Sequence, residues 1–232
     1  MTDRTTILAR LARLAAANAS HENLAVRLCE ASRLILGAQG AWITVLDGTS
    51  SRLPLSATDQ VAADLEDIQD VIGQGPSISA YQGNSAVTMT LHSESDSRWP
   101  EFSRTAWQRI TTVLRIDAYP MRPATDTFGV LNTYFTTAEP LESGDSAQFL
   151  ADAVGAALLR DPVPNEDSGF DRGMWSARSR LHQATGMVIA QLHIPPEDAL
   201  AILRAHAYAH DTTLADIAEQ VVNRRLDFRG DS

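Results

Sequence analysis

The stretch Arg160-Asp-Pro-Val-Pro-Asn-Glu-Asp-Ser-Gly-Phe-Asp-Arg-Gly173 constrains this chain more than any other feature. Two prolines, two glycines and four acids in that span read as a linker, because proline removes a backbone donor and glycine loosens the chain. One core cannot run through it, so the 232 residues divide into a larger front part and a short tail. Charge shifts at the same place. Residues 1–174 hold 13 Arg against 22 acids, a balance of −9. Residues 175–232 hold 6 Arg against 7 acids, a balance of −1, together with four of the six histidines.

Every basic residue is arginine; there is no lysine. That absence excludes a phosphate-loop lysine, a kinase strand lysine, a Schiff-base lysine and the lysine of a phospho-acceptor receiver domain. The net charge of −10 argues against a surface that embraces nucleic acid all round, and leaves room for a local patch. A single cysteine forms neither an internal disulfide nor a thiolate metal cluster. No apolar run is long enough to span a membrane, and the arginine-bearing Ala/Leu start lacks a secretory pattern. The cytoplasm is the expected location.

The front part mixes two periods. Ile7, Leu8, Leu11, Leu14 and Ala15 form one helical stripe, and Leu24, Leu28, Ala31 and Ile35 form a second. The first stripe has no obvious partner inside a compact core and points to helix pairing between two copies of the chain. Strands are predicted over 41–46, 52–57, 86–90, 112–119 and 128–135. Helices are predicted over 59–69, over 99–108 and onward from Ser143. Gly73-Gln-Gly-Pro76 reads as a chain-breaking turn, because two glycines without a helix-opening fingerprint do not make a phosphate loop. Helices flanking an antiparallel sheet give an α+β domain.

Three helices account for the tail. Ala177, Leu181, Ala184, Val188 and Leu192 make the core stripe of the first. Pro195-Pro196 starts the second, with Glu197 and Asp198 in its first turn. Thr213-Leu-Ala-Asp216 is a capping box with Asp in place of Glu, opening a third helix with Leu214, Ile217, Ala218, Val221 and Val222 on one face. So small a bundle has a thin core and leans on an adjoining element.

These residues carry two resemblances. Ser176-Ala-Arg-Ser-Arg-Leu-His-Gln-Ala-Thr-Gly-Met-Val-Ile-Ala190, Ala199-Leu-Ala-Ile-Leu-Arg-Ala-His-Ala207 and Leu214-Ala-Asp-Ile-Ala-Glu-Gln-Val-Val222 together resemble the ANTAR domain. Gly73-Gln-Gly-Pro76, Arg98-Trp-Pro100, Thr112-Val-Leu-Arg-Ile-Asp-Ala-Tyr-Pro-Met121 and Gly129-Val-Leu-Asn132, in that order, resemble the GAF domain found fused to ANTAR in bacterial regulators. The resemblance implies a transcription antitermination regulator. Its ANTAR domains, usually paired in a homodimer, would hold hairpin loops of nascent mRNA so that a competing terminator cannot form. A GAF sensory domain, with a possible small-molecule ligand, would control them. The expected organisation is an N-terminal helix at 1–20, the GAF-like domain at 21–160, a linker at 161–174 and the ANTAR domain at 175–229. In the family a lysine commonly stands between the residues matching Ala184 and Gly186; here it is Thr185, which removes a phosphate-seeking charge.

Arg178, Arg180 and Arg204 are candidate RNA contacts, because guanidinium offers planar bidentate donors. Gln183 and Thr185 join them from the polar side of the first tail helix. Arg224, Arg225 and Arg229 read as companions of a helix C-terminus. His206 and His210, four apart, read as a packed or surface pair rather than a metal site. Cys29 reads as a small buried apolar residue. Free-methionine-sulfoxide reductases built on GAF domains use several cysteines, and this chain has one. Trp42, Trp99 and Trp107 read as core, and Ala184 and Gly186 as small for close helix packing. No nucleophile–base set is visible, His92 near Glu94 and Asp96 being too loose, so a non-enzyme is expected. Two rivals stand beside the regulator: a ligand-binding or dimerisation module without RNA binding, and a helix-turn-helix DNA binder. The near-neutral tail disfavours the second.

Overall fold

The computed structural model describes residues 4–17, 23–46, 52–91, 98–123, 127–139, 144–160 and 169–229; the side chains of Leu46 and of residues 169–179 fall outside that set. The front domain runs α1 (Arg4–Ala17), α2 (Leu24–Leu36), β1 (Gly40–Leu46), β2 (Arg52–Ala57), α3 (Gln60–Ile72), α4 (Pro76–Gly83), β3 (Val87–Thr90), α5 (Pro100–Arg109), β4 (Arg115–Met121), β5 (Gly129–Phe135) and α6 (Gly144–Arg160). The tail follows as α7 (Gly169–Leu192), α8 (Pro196–Ala209) and α9 (Leu214–Val222). This is the α+β domain followed by a helical bundle that the periodicities predict. None of the described helices is long and apolar enough to cross a membrane.

The sheet is antiparallel throughout, in the order β2-β1-β5-β4-β3. Its central strands β4 and β5 are buried along their whole length, so both faces are covered. Tyr119, Met121 and Leu131 pack with residues of α1, α2 and α6 on one face. Trp42, Ile116 and Tyr134 pack with residues of α3 and α5 on the other. Period two in the strands sets this division, since alternate side chains leave opposite faces.

Four features differ from the sequence-based expectations. The Ile7/Leu11/Leu14 stripe finds its partner within the chain: Ile7, Leu11 and Ala15 are buried, and half-buried Leu14 packs with them, in the core shared with α2 and α6. Pairing between subunits therefore does not follow from that stripe. Gly73-Gln-Gly-Pro76 is a turn, but a helix follows at once. Gly73 closes α3 in the left-handed region at φ 71°, Gly75 at φ 148° is the N-cap of α4, and Pro76 is its first residue, where a missing N–H costs nothing. A Cβ on Gly75 would lie 2.4 Å from the Gln69 side chain, so this N-cap has no room for one. Helix α7 begins at Gly169, inside the stretch read as linker 161–174, of which residues 161–168 lie outside the described set. Trp107 is half exposed, unlike Trp42 and Trp99, which are core.

Candidate RNA interface

The tail core consists of Ala184 and Val188 from α7, Ala199, Leu203 and Ala207 from α8, and Leu214, Ile217, Ala218 and Val221 from α9. The capping box is formed: the Thr213 side chain accepts from the Asp216 N–H at 3.1 Å, and Asp216 accepts from Thr213 in return. The thin core borrows from outside the three helices. Val71 of α3 packs into it, as do Leu226 and Phe228 of the segment after α9. That segment is fastened where the Phe228 N–H donates to Gln191 Oε1 at 3.0 Å. The His206 and His210 rings stack at 4.1 Å with Phe228 edge-on to His206 at 5.5 Å, so the pair is a packing unit.

The predicted contact residues do not form one group. Gln183 and Gly186 lie exposed on α7. Arg180, on the same helix, makes a loose 3.4 Å pair with Glu219, both side chains about half exposed, an arrangement that water screens and that yields readily. Thr185 is half buried and spends its proton on the Leu181 carbonyl at 2.8 Å. Ala184 is fully buried, as expected, but Gly186 is not a packing glycine: a Cβ there would meet nothing within 4 Å. The side chain of Arg178 lies outside the described residues. Arg224 and Arg225 are exposed beyond α9, and Arg229 pairs with Asp227 at 3.2 Å.

Arg204 stands apart from the others. It turns toward the front domain, where its Nε donates to the Asp70 carbonyl at 2.9 Å, in the last turn of α3. A cation there meets the negative end of the helix dipole. Burial lowers the Arg204 pKa, against the pull of Asp70. Around this contact α8 and α9 pack on α3. Arg104 donates to the Tyr208 hydroxyl at 2.8 Å, Tyr208 donates to Glu101 at 3.2 Å, and Arg109 pairs with Asp211.

Behind Asp70 lies a polar network that sequence reasoning missed. Glu66, only 2% exposed, accepts from Trp42 Nε1, Thr44 Oγ1 and Arg52 Nη2, each at 2.7 Å. Arg52 also donates to Asp70 at 2.5 Å and to Ser77 at 3.1 Å. The Ser77 N–H donates to Gln69 Oε1 at 2.9 Å. A buried carboxylate and guanidinium persist only when each is paired and hydrogen-bonded, and here β1, β2, α3 and α4 supply the partners. Burial pushes the Asp70 carboxyl up to about 6, although Arg52 pulls it back. Cys29, by contrast, is inert. Burial pushes its thiol up to about 12, far from the thiolate that redox chemistry needs.

Residues 175–222 match the ANTAR domain family. The tail is an ANTAR domain. Its three helices α7, α8 and α9 span that match and run a few residues beyond it at the start. Several solved structures are similar to the chain. The nlh2 GAF domain of A. aeolicus is 12% identical, covering 66% of this chain and 92% of its own at a TM-score of 0.42. The GAF domain/HD domain protein from Geobacter sulfurreducens is 18% identical, covering 57% and 85% at a TM-score of 0.41. The free methionine-R-sulfoxide reductase from Neisseria meningitidis is 12% identical, covering 68% and 95% at a TM-score of 0.40. No curated protein matches the chain. In this structure the ANTAR domain sits against the front domain with α8 inward and the Gln183/Gly186 side of α7 exposed.

Proposed function

We propose that the chain is a non-enzymatic transcription antitermination regulator of the cytoplasm, whose ANTAR domain binds hairpin loops of nascent mRNA under control of a GAF-like sensory domain. The match over 175–222 carries this reading, and the exposed side of α7 supplies its chemistry. Gln183 can donate to and accept from unpaired loop bases, and Arg180 can leave Glu219 for a phosphate. Open space over Gly186 lets a base or sugar approach the helix backbone closely. Arg204 is held by α3 in the docked arrangement, so docking withholds one guanidinium from RNA. Two ANTAR domains in a homodimer would gain affinity through effective concentration. Leu8, Leu34 and Leu159, exposed on α1, α2 and α6, are apolar residues available for that pairing.

Fluorescence anisotropy with short tandem-hairpin RNAs, titrated with salt, tests the reading. Binding that Arg180→Ala weakens about tenfold, the worth of a charged hydrogen bond, supports it. Thr185→Lys is expected to strengthen binding and steepen the log–log salt slope by about one unit. A folded chain that ignores such RNAs at low salt favours the rival module without RNA binding.

A further inference from the structure

Between the two domains lies a cavity of ≈ 240 Å³ whose walls come from both. Trp42, Leu53 and Ala63 line it from the front domain, and Leu181, Leu214 and Ala215 from the ANTAR domain. This volume suits a compact body of about ten non-hydrogen atoms, below the usual drug-sized range. The charged groups on the wall are Arg52, Glu66, Asp67 and Asp70. Three are consumed: Arg52 bridges Glu66 and Asp70, and Glu66 also takes Trp42 and Thr44. Asp67 makes no hydrogen bond or ion pair among the described residues.

The surroundings of Asp67 are negative. Asp64, Glu66 and Asp70 face it from α3 and Asp216 from α9. The nearby guanidiniums are already engaged: Arg52 with its carboxylates, Arg204 with the Asp70 carbonyl, and Arg104 and Arg109, which share a second pocket wall with Asp67, with Glu101 and Asp211. An anionic ligand would have to pull Arg52 from Glu66, leaving a buried carboxylate unpaired. A cation meets a free carboxylate instead. Burial, followed by the neighbouring carboxylates, pushes Asp67 up to about 7, so an ammonium can take the place of its proton.

We propose that this inter-domain cavity binds a small organic amine, its apolar body against Trp42, Leu53 and Leu214 and its ammonium on Asp67. Because both domains form the wall, the occupant stabilises the docked arrangement and keeps Arg204 on α3. Only this consequence rests on the regulatory reading above; the site itself does not.

Calorimetry on the full chain tests it with three probes of one shape: phenethylamine, 2-phenylethanol and phenylacetate. Phenethylamine is expected to bind about tenfold or more tighter than the alcohol, and phenylacetate more weakly than either. Asp67→Asn should bring the amine down to the alcohol. Ala215→Trp, filling the cavity from the ANTAR side, should abolish both, with circular dichroism confirming the fold. Amine affinity should rise from pH 6 to pH 8 as Asp67 ionises. Equal binding of amine and alcohol, an amine preference that survives Asp67→Asn, or no binding of any probe at millimolar concentration would overturn the proposal. RNA is absent from these arms, so their failure leaves the RNA reading standing. In a further arm, amine binding that leaves RNA affinity unchanged supports the site and overturns its coupling to docking.

Discussion

Glu66 is the hub of the polar network inside the front domain. Its two oxygens satisfy an indole, a hydroxyl and a guanidinium that have left water. Glu66→Ala would strand Arg52 with only Asp70 and Ser77. Breaking a buried pair from one side costs about 3–5 kcal/mol, and urea unfolding should show a loss of that size. Gly186 makes the opposite case. A helix glycine is about 0.5–1 kcal/mol worse than alanine, and nothing crowds the position. Gly186→Ala should therefore raise the melting temperature while lowering RNA affinity, because the added methyl occupies the space proposed for the loop. A variant that is more stable and binds equally well would remove Gly186 from the interface.

Among the elements, α3 joins the two domains: its buried side chains hold the polar network and its last turn receives Arg204. Asp67 makes this junction pH-dependent. Its carboxyl stands at about 7 in the folded chain, against about 3.9 when unfolded. The folded state thus holds this proton more tightly. The contribution is full below about pH 4 and is lost as pH rises through about 7. Asp67→Asn should flatten that part of the stability profile, and a parent profile without any decline from pH 4 to 7 attributable to Asp67 would contradict the assignment. The elements themselves were largely legible, because the stripes at Leu24/Leu28/Ala31 and Leu214/Ile217/Val221 follow helical spacing and the strands follow period two. Helix α4 was not legible, since the glycines before Pro76 hid a helix start behind a turn signal. The polar network was not legible either. Arg52, Glu66 and Trp42 lie far apart in sequence and carry no spacing signature; only the crossing of α3 over β1 and β2 brings them together. Arg204 looked like a surface cation for the same reason, its partner Asp70 lying 134 residues earlier.

At the scale of the whole molecule, most of the α1 stripe turns inward, while Leu8 of α1, Leu34 of α2 and Leu159 of α6 stay exposed. If these residues pair two copies, Leu34→Asp with Leu159→Asp should convert a dimer to a monomer by light scattering without changing the circular dichroism. A parent chain that is monomeric at micromolar concentration would end the homodimer reading. Pairing and docking both serve the central claim that this ANTAR domain grips hairpin loops through α7. Selection from a pool of tandem-hairpin RNAs with randomised loops, followed by anisotropy on the winners, tests it most directly. The account predicts loops bound at least about tenfold more tightly than the same stems closed into duplex, with that preference lost in folded Arg180→Ala and Gln183→Ala chains. Equal affinity for loop and duplex, or no enrichment at all, would contradict it.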